Sequence, residues 1–155
     1  MPKVIISDTS VLILFQKINR LDLLQGIYKE ILTTPEVAEE YRDELPVWII
    51  VQAVTDRKYQ ELLEIQVDKG EASAIALSKE FSDVLLLLDD LKARKLASKL
   101  GLKFTGALGI IHRAKQEGLI DRIKPLLDEI VNTDFRISEK VINELLLING
   151  EGESE

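Results

Sequence analysis

The 155-residue chain contains no cysteine and only one histidine, His112. Without cysteine there is no disulfide, no thiolate metal site and no Cys nucleophile. With one histidine there is no multi-His zinc site. Any bound metal must be a hard cation held by oxygen, which points to Mg²⁺ or Mn²⁺. Long apolar runs are missing too. Those at residues 84–88 and 145–148 are far too short to cross a bilayer. The run Val4-Ile5-Ile6 is too short for the apolar part of a secretory signal and stops before Asp8. A soluble, cytoplasmic chain with no membrane partner is expected. Glycine-rich phosphate loops are also missing. No Gly-x-Gly follows the first strand and no Walker-type Gly-Lys-Ser/Thr occurs, which argues against the common nucleotide-binding designs. A Ser/His/Asp triad would have to recruit His112, which lies inside a predicted helix and reads as a surface or half-buried residue.

What is present is an ordinary globular balance, 46% hydrophobic and 30% charged, in a chain of single-domain size. The net charge of −7 argues against a passive nucleic-acid coat, which needs a basic face. It does not exclude an enzyme whose bound cation reverses the local sign.

Residues 3–7, with the apolar run Val4-Ile5-Ile6 at their centre, predict a buried central strand. Short helices are expected over residues 11–18 and 21–27, a second strand over 30–33, then a helix with Thr34 as N-cap and Pro35 at its first position. Residues 46–54 read as extended, 56–65 as helix, and 70–81 as a further helix opening at Gly70-Glu71. Residues 84–88 are the second strong candidate for a central strand, ending at Asp89-Asp90. A helix over 92–100 stops at Gly101. A strand over 102–104, then helices over 105–117, 120–131 and 138–148, complete the pattern. Strands alternating with helices predict an α/β fold with a mostly parallel sheet covered on both faces. One domain over residues 1–149 is expected, with a frayed acidic tail over 150–155.

Ligands of open parallel sheets bind at the carboxyl ends of the strands. Asp8 follows the first strand, and Asp89 and Asp90 follow the strongest later one, so neighbouring placement would bring their carboxylates together. Glu40 and Glu71 lie on helices that follow strand-like segments. Carboxylates sharing one cleft repel unless a cation neutralises them. Such a cation would also serve phosphodiester hydrolysis. Thr9 and Ser10 could offer hydroxyls to a phosphate or a metal-bound water. Each group also has a simpler reading. Asp8 or Ser10 can cap a helix, Glu71 can compensate a helix dipole, and Glu40 can belong to a solvated face. Asp89-Asp90 can cap the next helix, with Asp90 and Arg94 as an i,i+4 pair.

Four segments occur in order: Ser7-Asp8-Thr9-Ser10, Pro35-Glu36-Val37-Ala38-Glu39-Glu40, Gly70-Glu71-Ala72-Ser73-Ala74-Ile75-Ala76-Leu77, and Leu88-Asp89-Asp90-Leu91-Lys92-Ala93-Arg94. With Gly101-Leu102 and Thr105-Gly106 after them, they resemble the PIN-domain superfamily, in particular its short prokaryotic members. The resemblance covers residues 4–149. It implies a three-layer α/β/α fold around a mostly parallel sheet and a Mg²⁺- or Mn²⁺-dependent endoribonuclease acting on RNA, possible partners being a small antitoxin and a second copy in a homodimer. A non-catalytic RNA- or protein-binding module is the alternative. The implied acid quartet is Asp8, Glu40 (with Glu39 one residue away), Glu71, and Asp90 or Asp89. Lys92, Arg94, Lys95 and Lys99 would lie near it and steer an RNA backbone, and Thr9 and Ser10 would help hold substrate. Two positions depart from the usual pattern: Leu88 replaces a hydroxyl residue, and Glu71 stands where Asp is commoner.

Overall fold

The computed structural model describes residue 2 and residues 4–152. Lys3, expected to open the first strand, and the last three residues of the expected tail lie outside the described residues. The elements run β1 (Val4–Ser7), α1 (Thr9–Lys17), α2 (Leu21–Tyr28), β2 (Ile31–Thr33), α3 (Pro35–Tyr41), β3 (Ile49–Val51), α4 (Arg57–Leu63), α5 (Lys69–Ser78) and β4 (Val84–Leu87). After these come α6 (Leu91–Lys99), β5 (Lys103–Thr105), α7 (Ala107–Gln116), α8 (Lys124–Val131) and α9 (Glu139–Ile148). The strands form one five-stranded sheet in the order β3-β2-β1-β4-β5, with every pairing parallel.

Alternation along the central strands divides the interior into two halves, as the period of two requires. Ile5 and Leu87 face a core built with α1, α2, α7 and α8, where Phe15, Leu24 and Ile110 are fully buried. Ile6, Leu86 and Leu88 face the other core, built with α4, α5 and α6. Burial on both faces explains why β1 and β4 read as unbroken apolar runs. The result is a three-layer α/β/α fold. Leu88 is a fully buried member of the second core.

Local chemistry sets the helix starts. The Thr34 hydroxyl accepts from the Val37 N–H at 3.1 Å and is bonded to the Ser73 hydroxyl at 2.6 Å, so the cap of α3 is tied to α5. Asp68 and Glu71 form a complete capping box on α5. Some boundaries differ from expectation. Residues 120–123 are not helical, and α8 begins only at Lys124, with Pro125 in its first turn. α5 ends at Ser78 and not near residue 81.

The expected fraying from Gly150 onward does not describe Glu151. Its side chain is 6% exposed, pairs with Lys115 at 2.6 Å, and accepts the Ile123 and Lys124 N–H groups at 2.8 and 3.1 Å. It thereby supplies the side-chain cap that Ile123 cannot give α8. The apolar residues of α9 divide between two roles. Ile142, Leu145 and Leu146 pack partly against the core, while Val141, Leu147 and Ile148 are exposed. Among the described residues no helix is long and apolar enough to cross a membrane.

Candidate functional site

The strand order reverses at β1: the chain builds outward through β2 and β3, then returns to add β4 and β5 on the other side. The crevice beyond the carboxyl ends of β1 and β4 is therefore the switch point where open α/β sheets bind ligands. Ser7 is in register with Leu87, and the Asp8 N–H donates to the Leu87 carbonyl at 3.1 Å. Asp8 and the Asp89-Asp90 pair consequently leave the sheet at one edge.

Asp8 is 1% exposed. Its carboxylate caps α1 by accepting the Val11 N–H at 3.3 Å, and it accepts the Ser10 hydroxyl at 3.1 Å. Both oxygens of Asp89 accept the Ala107 N–H at 3.1 Å, so Asp89 lies across the start of α7. Asp90 caps α6 through the Ala93 N–H at 2.9 Å. Glu71 returns to the Asp68 N–H in the capping box. Glu40 is exposed, and its Oε1 accepts the Thr9 hydroxyl at 2.5 Å. The Thr9 hydroxyl is bonded to Glu40 and the Ser10 hydroxyl to Asp8. The Asp90–Arg94 pair of the simpler reading is not among the ion pairs of the described residues. Arg94 packs over the Phe104 ring, 5.0 Å from its centroid, and acts on Asp89 electrostatically. Lys92 is exposed in the first turn of α6, and Lys95 and Lys99 are exposed farther along it.

The electrostatics connect the acids. Burial pushes the Asp8 carboxyl well above its ordinary range against the pull of its Val11 and Ser10 hydrogen bonds, and the charges of Asp89 and Glu71 add to the rise. Burial, then the charges of Asp68 and Asp90 and more weakly that of Glu40, raise Glu71 to about 7. Burial raises Asp89 as well, opposed by the Ala107 N–H and Arg94. Among the described residues, none of Asp8, Glu40, Glu71, Asp89 and Asp90 is in an ion pair. Asp89 belongs to the Asp8 side of the group and Asp90 to the Glu71 side, so the structure favours neither as the fourth acid.

This all-oxygen donor set suits a hard divalent cation. The side chains as they stand do not close around one: among the described residues, no group of three or more His, Cys, Asp and Glu could hold a metal ion. Magnesium tolerates such an open arrangement, since it keeps several waters and is commonly held by one or two carboxylates together with substrate phosphates. Two glycines leave room around the acids. A Cβ on Gly70 would stand 2.3 Å from the Glu40 carboxylate, and one on Gly106 would stand 2.3 Å from Asp89.

A family model described as the PIN domain matches residues 4–151. The chain belongs to the PIN-domain family. No curated protein matches it. Three further residues of this PIN domain shape the candidate site: Asp68, Gly70 and Gly106. Asp68 was legible, because Asp68-Lys69-Gly70-Glu71 has the spacing of a capping box. The clearances at Gly70 and Gly106 had no local signal, since each depends on a carboxylate from a distant segment. His112, unused by the site, is half-buried with its Nδ1 at 3.1 Å from the Asn149 side chain, linking α7 to the end of α9.

Proposed function

We propose that this PIN domain is a divalent-metal-dependent endoribonuclease. One observation carries the reading: carboxylates from separate segments meet at the sheet's switch point with no ion pair among the described residues to balance them. Asp8, Glu71 and the Asp89-Asp90 pair would hold Mg²⁺ or Mn²⁺ directly or through water, with Glu40 completing the set. A bound ion would polarise a phosphate oxygen and supply hydroxide at neutral pH. The chain's own part is positioning. Ser10 and the Val11 N–H orient Asp8, Thr9 holds Glu40, and the start of α7 holds Asp89. Lys92 and Arg94 would attract the RNA backbone. Asp8→Asn should lower Mn²⁺-dependent cleavage of single-stranded RNA by at least about 100-fold, on the scale of losing an electrostatic catalytic group. Wild-type protein that cleaves no RNA with Mn²⁺ or Mg²⁺ would end the proposal.

The same reading extends to a toxin of a toxin–antitoxin pair in the cytoplasm, for which arrest of growth on expression, abolished by Asp8→Asn, is the expected result. Homodimerisation would use the exposed Val141, Leu147 and Ile148 of α9, and a monomer mass by light scattering at micromolar concentration would refute it.

A second reading is a non-catalytic RNA- or protein-binding module. The observation favouring it is that Asp8, Asp89, Asp90 and Glu71 each already serve a helix start. Calorimetry separates the two, since absence of Mn²⁺ binding removes the nuclease reading and binding without turnover supports the module.

A further inference from the structure

A directed run of hydrogen bonds joins α3 to α5. The Val37 N–H donates to the Thr34 hydroxyl at 3.1 Å, and that hydroxyl is bonded to the Ser73 hydroxyl at 2.6 Å. Ser73 in turn donates to the Gly70 carbonyl at 2.7 Å. A hydroxyl carries one proton, so with the Ser73 proton on Gly70 the Thr34 proton lies on Ser73. Thr34 and Ser73 are both 0% exposed. Ser73 stands among the buried Ala72, Ala74, Ile75 and Ala76, where a methyl group would pack equally well. A buried hydroxyl in such a place is costly unless both its capacities are used, and here they are. The run ends at the residue where two acids approach. The Glu40 carboxylate lies over Gly70, since a Cβ there would stand 2.3 Å from it, and Glu71 follows next in the chain. Glu40 is carried by α3 and Glu71 by α5, so the Thr34–Ser73 bond fastens one acid-bearing helix to the other.

We propose that Thr34 and Ser73 are positioning residues, whose bond sets the placement of Glu40 against Glu71 and with it the cluster's affinity for a divalent cation. The inference rests on the metal-dependent reading above. It adds two hydroxyls that are closed off from solvent and act only through the helices they join. Outer hydrogen-bond partners that hold ligands in place govern metal affinity in this way.

The test is Mn²⁺ binding to the full chain by calorimetry, without RNA, with cleavage of single-stranded RNA followed separately. Ser73→Ala removes the link but leaves the Thr34 cap on α3, and alanine suits the interior of α5. It should weaken Mn²⁺ binding about tenfold, on the scale of losing an outer partner of a metal ligand. Thr34→Val, of the same shape without the hydroxyl, should lose at least as much. Thr34→Ser keeps the hydroxyl and should bind as wild type. Circular dichroism at the titration temperature confirms that each variant is folded, which separates lost placement from lost folding. Ser73→Ala that melts earlier yet binds Mn²⁺ as wild type shows a bond that serves stability alone. That result overturns the proposal even if the wild type cleaves RNA, as does a Thr34→Ser loss equal to that of Ser73→Ala. Weakened Mn²⁺ binding by Ser73→Ala, in a protein whose wild type cleaves nothing, upholds the positioning role and overturns the nuclease reading. Wild-type protein with no Mn²⁺ affinity overturns both.

Discussion

Replacing Glu71 by Gln tests the electrostatics of the site without requiring a substrate. The Glu71 carboxyl stands at about 7 against an ordinary 4.5, because it is half-buried among Asp68, Asp90 and Glu40. A carboxyl whose value is raised on folding binds its proton more tightly in the native state. Its contribution is therefore full below the unfolded value and is lost as pH rises through about 7. Full conversion of that difference would give about 3 kcal/mol. Solvent screening of a half-buried group reduces it to about 1–2 kcal/mol. Gln mimics the protonated acid and can still accept the Asp68 N–H, since the capping box admits either residue. In EDTA, Glu71→Gln should leave stability near wild type at pH 5 and raise it by about 1–2 kcal/mol at pH 8. In a chain of this size that is roughly 2–8 °C in Tm. With saturating Mn²⁺ at pH 8 the wild type should recover the advantage, because only the carboxylate gains from the cation. Thermal melts followed by circular dichroism at both pH values check this. The same Tm difference at pH 5 and pH 8 in EDTA would refute the reasoning.

Two further substitutions test positions that local sequence does not flag. Gly70→Ala places a methyl group where the Glu40 carboxylate now lies, so Glu40 must leave Thr9. The neighbour that yields is the end of a flexible, exposed side chain, so stability should fall by less than about 1 kcal/mol. Cleavage assays should show a loss of tenfold or more, and unchanged cleavage would remove Glu40 from the site. Glu151→Ala removes the partner of Lys115 and the cap of α8, and should cost about 1–3 kcal/mol in urea unfolding. A change below about 0.5 kcal/mol would show that the chain end is not part of the folded unit.

Much of the architecture was legible because its determinants are local. The apolar runs of β1 and β4, Thr34 before Pro35, and Gly101 after α6 each carry their own signal in consecutive residues. The start of α8 was not legible, since the group that caps it, Glu151, comes from the far end of the chain. For the same reason the tail seemed too polar to be held. Acidic residues near a terminus usually favour water, and only their meeting with Lys115 and a bare helix start reverses the preference.

The acid cluster shows the same division. Sequence by itself determined which chemistry is available: no thiolate, one imidazole, and carboxylates placed just past predicted strands. That leaves oxygen ligation as the means of holding a metal. It could not determine which carboxylates meet. The strand order β3-β2-β1-β4-β5 sets β1 beside β4 and so brings Asp8 to Asp89. Packing of α5 against its neighbours places Glu71 within the fields of Asp90 and Glu40. The hydroxyls of Thr9 and Ser10 are bonded in the fold to Glu40 and Asp8, partners that consecutive residues do not reveal. The same side chain has several acceptors within reach, and tertiary packing chooses among them. Residue type sets what a group can do, and the long-range pairing of strands and helices sets what it faces.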